Sequence, residues 1–142
     1  MDEAAYRQAL TSAFPRNCPF EKSILTRCAD CSMAEKHNIA ERELVACNDA
    51  VAHQRCNALR DLFRDNFSFA LGKPHIEGPL PHAQDMRIQC GGLKGLQFVM
   101  DENADVSDVA ALLDRALQRF GNLADLPFSL IVQRANDLYK RR

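Results

Sequence analysis

The sequence predicts a mainly α-helical fold, and three observations lead there. Apolar residues recur three or four positions apart through most of the chain, and Pro and Gly fall where such stripes start or stop. Alternation with a period of two is confined to a short stretch near 86–100. The 142 residues, with 46% hydrophobic and 26% charged, suit one globular domain, 1–142.

Taken in order, residues 2–13 read as a short helix with the small stripe Ala5, Ala9, Leu10 and Ala13, interrupted by Pro15. Pro19 suits a first helical position and opens a second helix whose stripe is Phe20, Ile24, Leu25 and Cys28. Residues 39–46 are ambiguous between a helical turn and an entry loop. Asn48-Asp49 is an N-cap signal ahead of a third helix with Ala52, Cys56, Leu59 and Phe63 on one face, running toward Leu71 and stopping at Gly72. Residues 73–84 form a Pro/Gly/His-rich loop. Met86-Arg87-Ile88-Gln89-Cys90 alternates like a strand and is followed by Gly91-Gly92 and Gly95. The expectation is at most one short strand or hairpin near 86–100. Asp105 or Ser107 then caps a helix with Val109, Leu112, Leu113, Ala116, Leu117 and Phe120, stopped by Gly121. Pro127 opens the last helix, with Phe128, Ile131, Val132, Ala135, Leu138 and Tyr139. Residues 15–72 are thus a Cys-rich helical region, and 105–140 a plain amphipathic helical pair.

Charge argues against nucleic acid. The formal net charge is −1, and residues 1–71 carry nine Lys/Arg against ten Asp/Glu, so no basic face gathers a phosphate backbone. Lys140-Arg141-Arg142 reads as the solvated end of a helix. No apolar run is long enough to span a bilayer, and Met1-Asp2-Glu3 does not open like a signal peptide. The expected location is cytoplasmic.

The cysteines carry the functional reading. Five of the six (Cys18, Cys28, Cys31, Cys47 and Cys56) fall within 18–56, and Cys90 stands apart as a packed thiol. In a reducing compartment such a cluster points to metal or redox chemistry rather than to a disulfide framework. Cys28 and Cys31 form a C-x2-C pair, but no second tight knuckle completes a zinc ribbon. On one continuous helix Cys47 and Cys56, nine steps of about 100° apart, would face opposite sides; the cap at Asn48-Asp49 lets both face one point.

The uneven spacings of 9, 2, 15 and 8 residues suit an iron–sulfur cube, whose ligands come from several segments, better than one zinc ion. Cys18-Pro19 is compatible, since a helix start beside a thiolate stabilises its charge. Five candidates for four places leave one spare, and Cys28 and Cys56 both also fit apolar stripes. A twin C-x9-C disulfide hairpin is disfavoured by the one-residue mismatch between Cys47 and Cys56, by Pro19 and by Cys31. A thioredoxin-like pair lacks the preceding strand.

His53, three residues before Cys56, can approach the same site from the helix face but reads first as a solvated residue. His37 carries no further signal, and His75 and His82, each after a proline, could bind a metal or a partner but read first as part of an exposed polar loop. No nucleophile–base signature, phosphate-binding glycine loop or H-E-x-x-H motif accompanies the cysteines, so an enzyme is the weaker reading. The expectation is a small cytoplasmic iron–sulfur protein, 4Fe–4S by preference, held by four of Cys18, Cys28, Cys31, Cys47 and Cys56. It would serve electron transfer, redox sensing or a larger enzyme through a protein partner. The alternatives are a structural-zinc interaction module and a metal-free helical adaptor with buried thiols.

Overall fold

The computed structural model describes residues 16–69, 71–72, 76, 78–101 and 105–139, and among these are five α-helices, one hairpin and a short 3-10 turn at Leu123–Asp125. They run α1 (Glu21–Leu25), β1 (Ala34–Ile39), β2 (Arg42–Cys47), α2 (Ala50–Phe67), α3 (His82–Asp101), α4 (Val109–Phe120) and α5 (Phe128–Tyr139). The expected helix at 2–13 lies outside the described residues. Mainly helical with one short hairpin is what the chain adopts, but the hairpin lies elsewhere than expected.

Residues 86–100 belong to the continuous helix α3, not to a strand. The glycines that suggested a turn serve close packing instead. A Cβ on Gly92 would stand 2.6 Å from the Phe63 ring, and one on Gly95 would stand 2.6 Å from the Ile131 carbonyl oxygen. Each glycine costs about 1 kcal/mol of helix propensity, and in return α3 lies directly against α2 and α5. Its packing against α5 is the most extensive in the molecule.

The hairpin occupies the stretch left between helical turn and loop. β1 and β2 pair antiparallel from Ala34↔Cys47 to Ile39↔Arg42. The connection is only Ala40-Glu41, with φ of 52° and 67°. A two-residue turn with both φ positive matches the right-handed twist of the strands and usually takes Asn-Gly. Ala-Glu carries no such signal, so the sequence does not announce it.

The α2, α4 and α5 helices follow the predicted stripes apart from the exposed Leu138, whereas α1 stops at Leu25 and leaves Cys28 of its expected stripe in the following loop. Asp49 caps α2 by accepting from the Ala52 N–H, and Cys56, Leu59, Phe63 and Phe67 are buried along one face. The α2 helix ends at Phe67, short of Leu71, and Gly72 follows with φ 70°. The cap of α4 is Asp108, not Asp105 or Ser107, and Gly121 ends that helix at φ 87° with its N–H on the Leu117 carbonyl. Phe63 is the hub of the core. Phe20, Phe67 and Phe128 meet its ring edge-to-face at centroid distances of 6.1, 6.2 and 6.3 Å. Phe20, just before the short α1, thereby ties the Cys-rich region to the helical core. Among the described residues no helix is long and apolar enough to cross a membrane.

Candidate metal centre

Four separate segments deliver one cysteine each to a common cavity. Residues 16–18 run antiparallel beside β2: the Cys47 N–H donates to the Arg16 carbonyl (2.7 Å) and the Cys18 N–H to the Val45 carbonyl (2.8 Å). Those two bonds set Cys18 next to Cys47. Glu21 clamps the junction, its Oε2 accepting from the Val45 N–H (2.7 Å) and from Asn17 Nδ2 (2.8 Å). Cys47 ends β2 just before the Asp49 cap, and Cys56 follows on the inner face of α2, so the interruption places both on one side.

Cys31 arrives on the loop between α1 and β1. Asp30 docks that loop on the start of α4, its N–H donating to the Val106 carbonyl (3.0 Å) and its carbonyl accepting from the Val109 N–H (2.9 Å). Asp108 closes the knot by accepting from the Ser32 N–H (3.0 Å) as well as from the Ala110 N–H (3.2 Å). Burial pushes the Asp108 carboxyl up, yet the hydrogen bonds from Ser32, Ala110 and Ala111 together hold it below its ordinary value.

Cys18, Cys31, Cys47 and Cys56 all line one small cavity with Met33, Ala52 and Val109 in its wall. All four are free thiols, and Cys47 and Cys56 are buried. The backbone N–H of Phe20 beside Cys18, and those of Met33 and Ala110 beside Cys31, ease negative charge on these two sulfurs. Phe20 precedes α1 and Ala110 lies in the first turn of α4, so backbone dipoles favour negative charge on these sulfurs. Without a bound cation Cys18, Cys31 and Cys56 hold their protons. Burial pushes Cys18 up to about 12, raises Cys56 further and raises Cys31, and ionising one opposes ionising the others. The Cys47 thiol donates to the Asp49 carbonyl at 3.3 Å.

The cavity has a volume of about 10 Å³, the room of one water. A wider cleft of about 80 Å³ adjoins it, sharing Met33, Ala52 and Cys56 as a wall and flanked by the Arg55–Asp114 ion pair. Met33 is unbranched and adaptable, the part of that wall best able to give way. Among the described residues no three His, Cys, Asp or Glu side chains stand close enough to grip a single metal ion.

The fifth clustered cysteine is turned elsewhere. Cys28 forms a disulfide with Cys90 on α3, so the C-x2-C pair is split: Cys31 faces the cavity and Cys28 faces α3. The reversal comes at Arg27, whose φ is 65°, and the N–H groups of Cys28 and Ala29 both donate to the Ser23 carbonyl. Cys90 is buried as expected, but as a disulfide partner rather than a packed thiol. Spacing carried no sign of that link, because a lone cysteine 62 residues away has no local pattern. His53 does not line the cavity; its Nε2 meets the Asn17 carbonyl at 3.0 Å. His37 pairs with Glu35, and His82 is exposed at the start of α3. His75 lies outside the described residues.

Searches against protein-family models, curated proteins and solved structures found no match to this chain.

Proposed function

We propose that this chain is a small iron–sulfur protein, holding one 4Fe–4S cluster on Cys18, Cys31, Cys47 and Cys56 and exchanging electrons with a protein partner. One observation carries the reading: four free thiols from four segments line a single cavity while the fifth is withdrawn into a disulfide. Four thiolates are the usual complement of a cubane. When bound, the cluster supplies reversible one-electron storage.

The chain's residues supply the rest. The four thiols release their protons on binding, and the N–H groups of Phe20, Met33 and Ala110 stabilise the charge left on sulfur. Phe20 and Val109 keep water from the buried side. A cluster would need more room than the cavity offers, and the adjoining cleft beside Met33 is where that wall would give way. Redox sensing and service to a larger enzyme use the same centre.

The small cavity supports a second reading, a structural zinc that draws the four sulfurs inward in a protein-interaction module. Protein purified without oxygen distinguishes the two. Visible absorption that bleaches on reduction, with about four iron and four sulfide per chain, is the expected result. A Ser at position 18, 31, 47 or 56 then loses the colour, while Cys28→Ser keeps it. A colourless protein with stoichiometric zinc selects the interaction module. No metal after anaerobic reconstitution sinks both readings and leaves a helical adaptor with buried thiols.

A further inference from the structure

The Cys28–Cys90 bond is asymmetric in a way that suits exchange with small thiols. Cys28 is half-buried on a loop whose preceding residues, Thr26 and Arg27, are exposed, whereas Cys90 is 4% exposed in the middle of α3. Of the two residues, Cys28 is the one nearer solvent and Cys90 the one shut in. Beside the inaccessible one stands a fully buried hydroxyl: Ser23 Oγ lies 3.6 Å from Cys90 Sγ. Gln89 Oε1 accepts from both the Ser23 N–H (3.3 Å) and its hydroxyl (3.4 Å). Rotating the hydroxyl toward Cys90 leaves Gln89 with the N–H bond. A buried thiolate leaving from this position thus has a donor within reach.

We propose that Cys28–Cys90 is an exchangeable disulfide, attacked at Cys28 by low-molecular-weight thiols of the glutathione type, and so a second redox site separate from the four-cysteine centre. In the first step the external thiolate forms an S–S bond to Cys28 while the Cys28–Cys90 bond breaks. The electron pair leaves on Cys90, where Ser23 donates to it until it takes a proton. In the second step another external thiolate attacks the small-molecule sulfur of the mixed disulfide. Cys28 leaves as a thiolate and is protonated by solvent. Overall two external thiols are oxidised to one disulfide, and the protein disulfide is reduced to two thiols; oxidised glutathione drives the reverse. Attack at the less buried Cys28 with departure of Cys90, beside the Ser23 hydroxyl, is what access and leaving-group stabilisation favour. The site does not depend on the metal reading, because neither Cys28 nor Cys90 lines the metal cavity.

The test follows exchange in the folded full-length chain by acid quench, alkylation and peptide mapping. Reduction of Cys28–Cys90 is expected to speed up in proportion to glutathione concentration. Cys90→Ser treated with oxidised glutathione is expected to hold the adduct on Cys28. Ser23→Ala should slow the first step about tenfold, the kinetic equivalent of one hydrogen bond to a charged group. It should leave release of glutathione from the Cys28 adduct of Cys90→Ser unchanged, since Cys90 does not leave in that step. A reduction rate independent of glutathione means that exchange waits for unfolding, and overturns the proposal. So do an adduct on Cys90, or cysteines that stay unlinked under excess oxidised glutathione. The wild-type rate law decides the matter even where a variant fails to fold.

Discussion

Residues 109–139 and residues 16–56 reach order by different means. In the first, α4 and α5 bury Val109, Leu112, Leu113, Ala116, Phe128, Ile131 and Ala135, and the stripe is continuous within each helix. In the second, a five-residue helix, a two-stranded hairpin and two docked loops are held by backbone hydrogen bonds reaching across the chain, and the cavity at their centre is lined by thiols. The helical pair is stabilised by area removed from water, roughly 1.5–3 kcal/mol for each large side chain. The Cys-rich region also buries Phe20, Ile24, Leu44 and Val45, but its free thiols surround a cavity, where a bound metal would add to that stability. The bland region rests on α2 and α3, and the chemically rich one is tied to α3 by a disulfide as well.

That contrast breaks most severely at the residue the two regions share. Phe63→Ala removes the ring that meets Phe20, Phe67 and Phe128, and a loss of about 3–5 kcal/mol is expected in denaturant unfolding. Both regions should melt together; loss of order confined to one of them would show that the core is not common.

Removing the disulfide with Cys28→Ser and Cys90→Ser together is the next largest change. The link closes a loop of 62 residues, and a cost of about 2–4 kcal/mol is expected, read as a lower Tm. Hydrogen exchange should report it first at 26–33 and least in α5. A uniform loss would mean that the two regions share one stability.

Gly95→Ala places a methyl against the Ile131 carbonyl, backbone that cannot swing aside, and about 1–3 kcal/mol of destabilisation is expected. This change strikes the helical core and should leave metal content per folded chain untouched. Asp108→Ala, by contrast, removes the cap of α4 and the bond to the Ser32 N–H. About 1 kcal/mol of stability should go, together with a measurable fall in metal retention, because Cys31 loses part of its anchor.

Proton linkage separates the regions more gently. Cys18 is raised to about 12 by burial, and Cys56 and Cys31 are raised as well. Between about pH 9 and 12 the unfolded chain therefore gives up thiol protons that the folded apoprotein keeps. The folded state binds more protons over that window, so apoprotein stability should fall as pH rises through it. With metal bound the thiols are already deprotonated, so the same rise should cost far less, whereas acidification should release the metal. Equal alkaline sensitivity with and without metal would remove these thiols from the site.

Legibility followed the range of the interaction. The stripes of α2, α4 and α5, the Asp49 cap and the Gly121 stop were readable because each is a pattern within one or two turns. Cys18, Cys31, Cys47 and Cys56 were readable as candidates from residue type and clustering. The hairpin was not, since Ala40-Glu41 adopt left-handed backbone without a turn signature, and helix α3 was masked by glycines whose purpose lies on Phe63 and Ile131.

By itself, then, the amino-acid sequence determined a mainly helical chain, an amphipathic C-terminal pair and a surplus of cysteines in the N-terminal half. Those properties depend on local periodicity and composition. Tertiary structure decided which thiols meet and which one is withdrawn. Cys28 and Cys31 are three residues apart yet face different neighbours, because Arg27 reverses the chain, Ser23 holds Cys28 and Ala29, and Val106 and Val109 hold Asp30. A side chain's direction there is set by hydrogen bonds to α1 and to the start of α4, and no spacing along the chain encodes them.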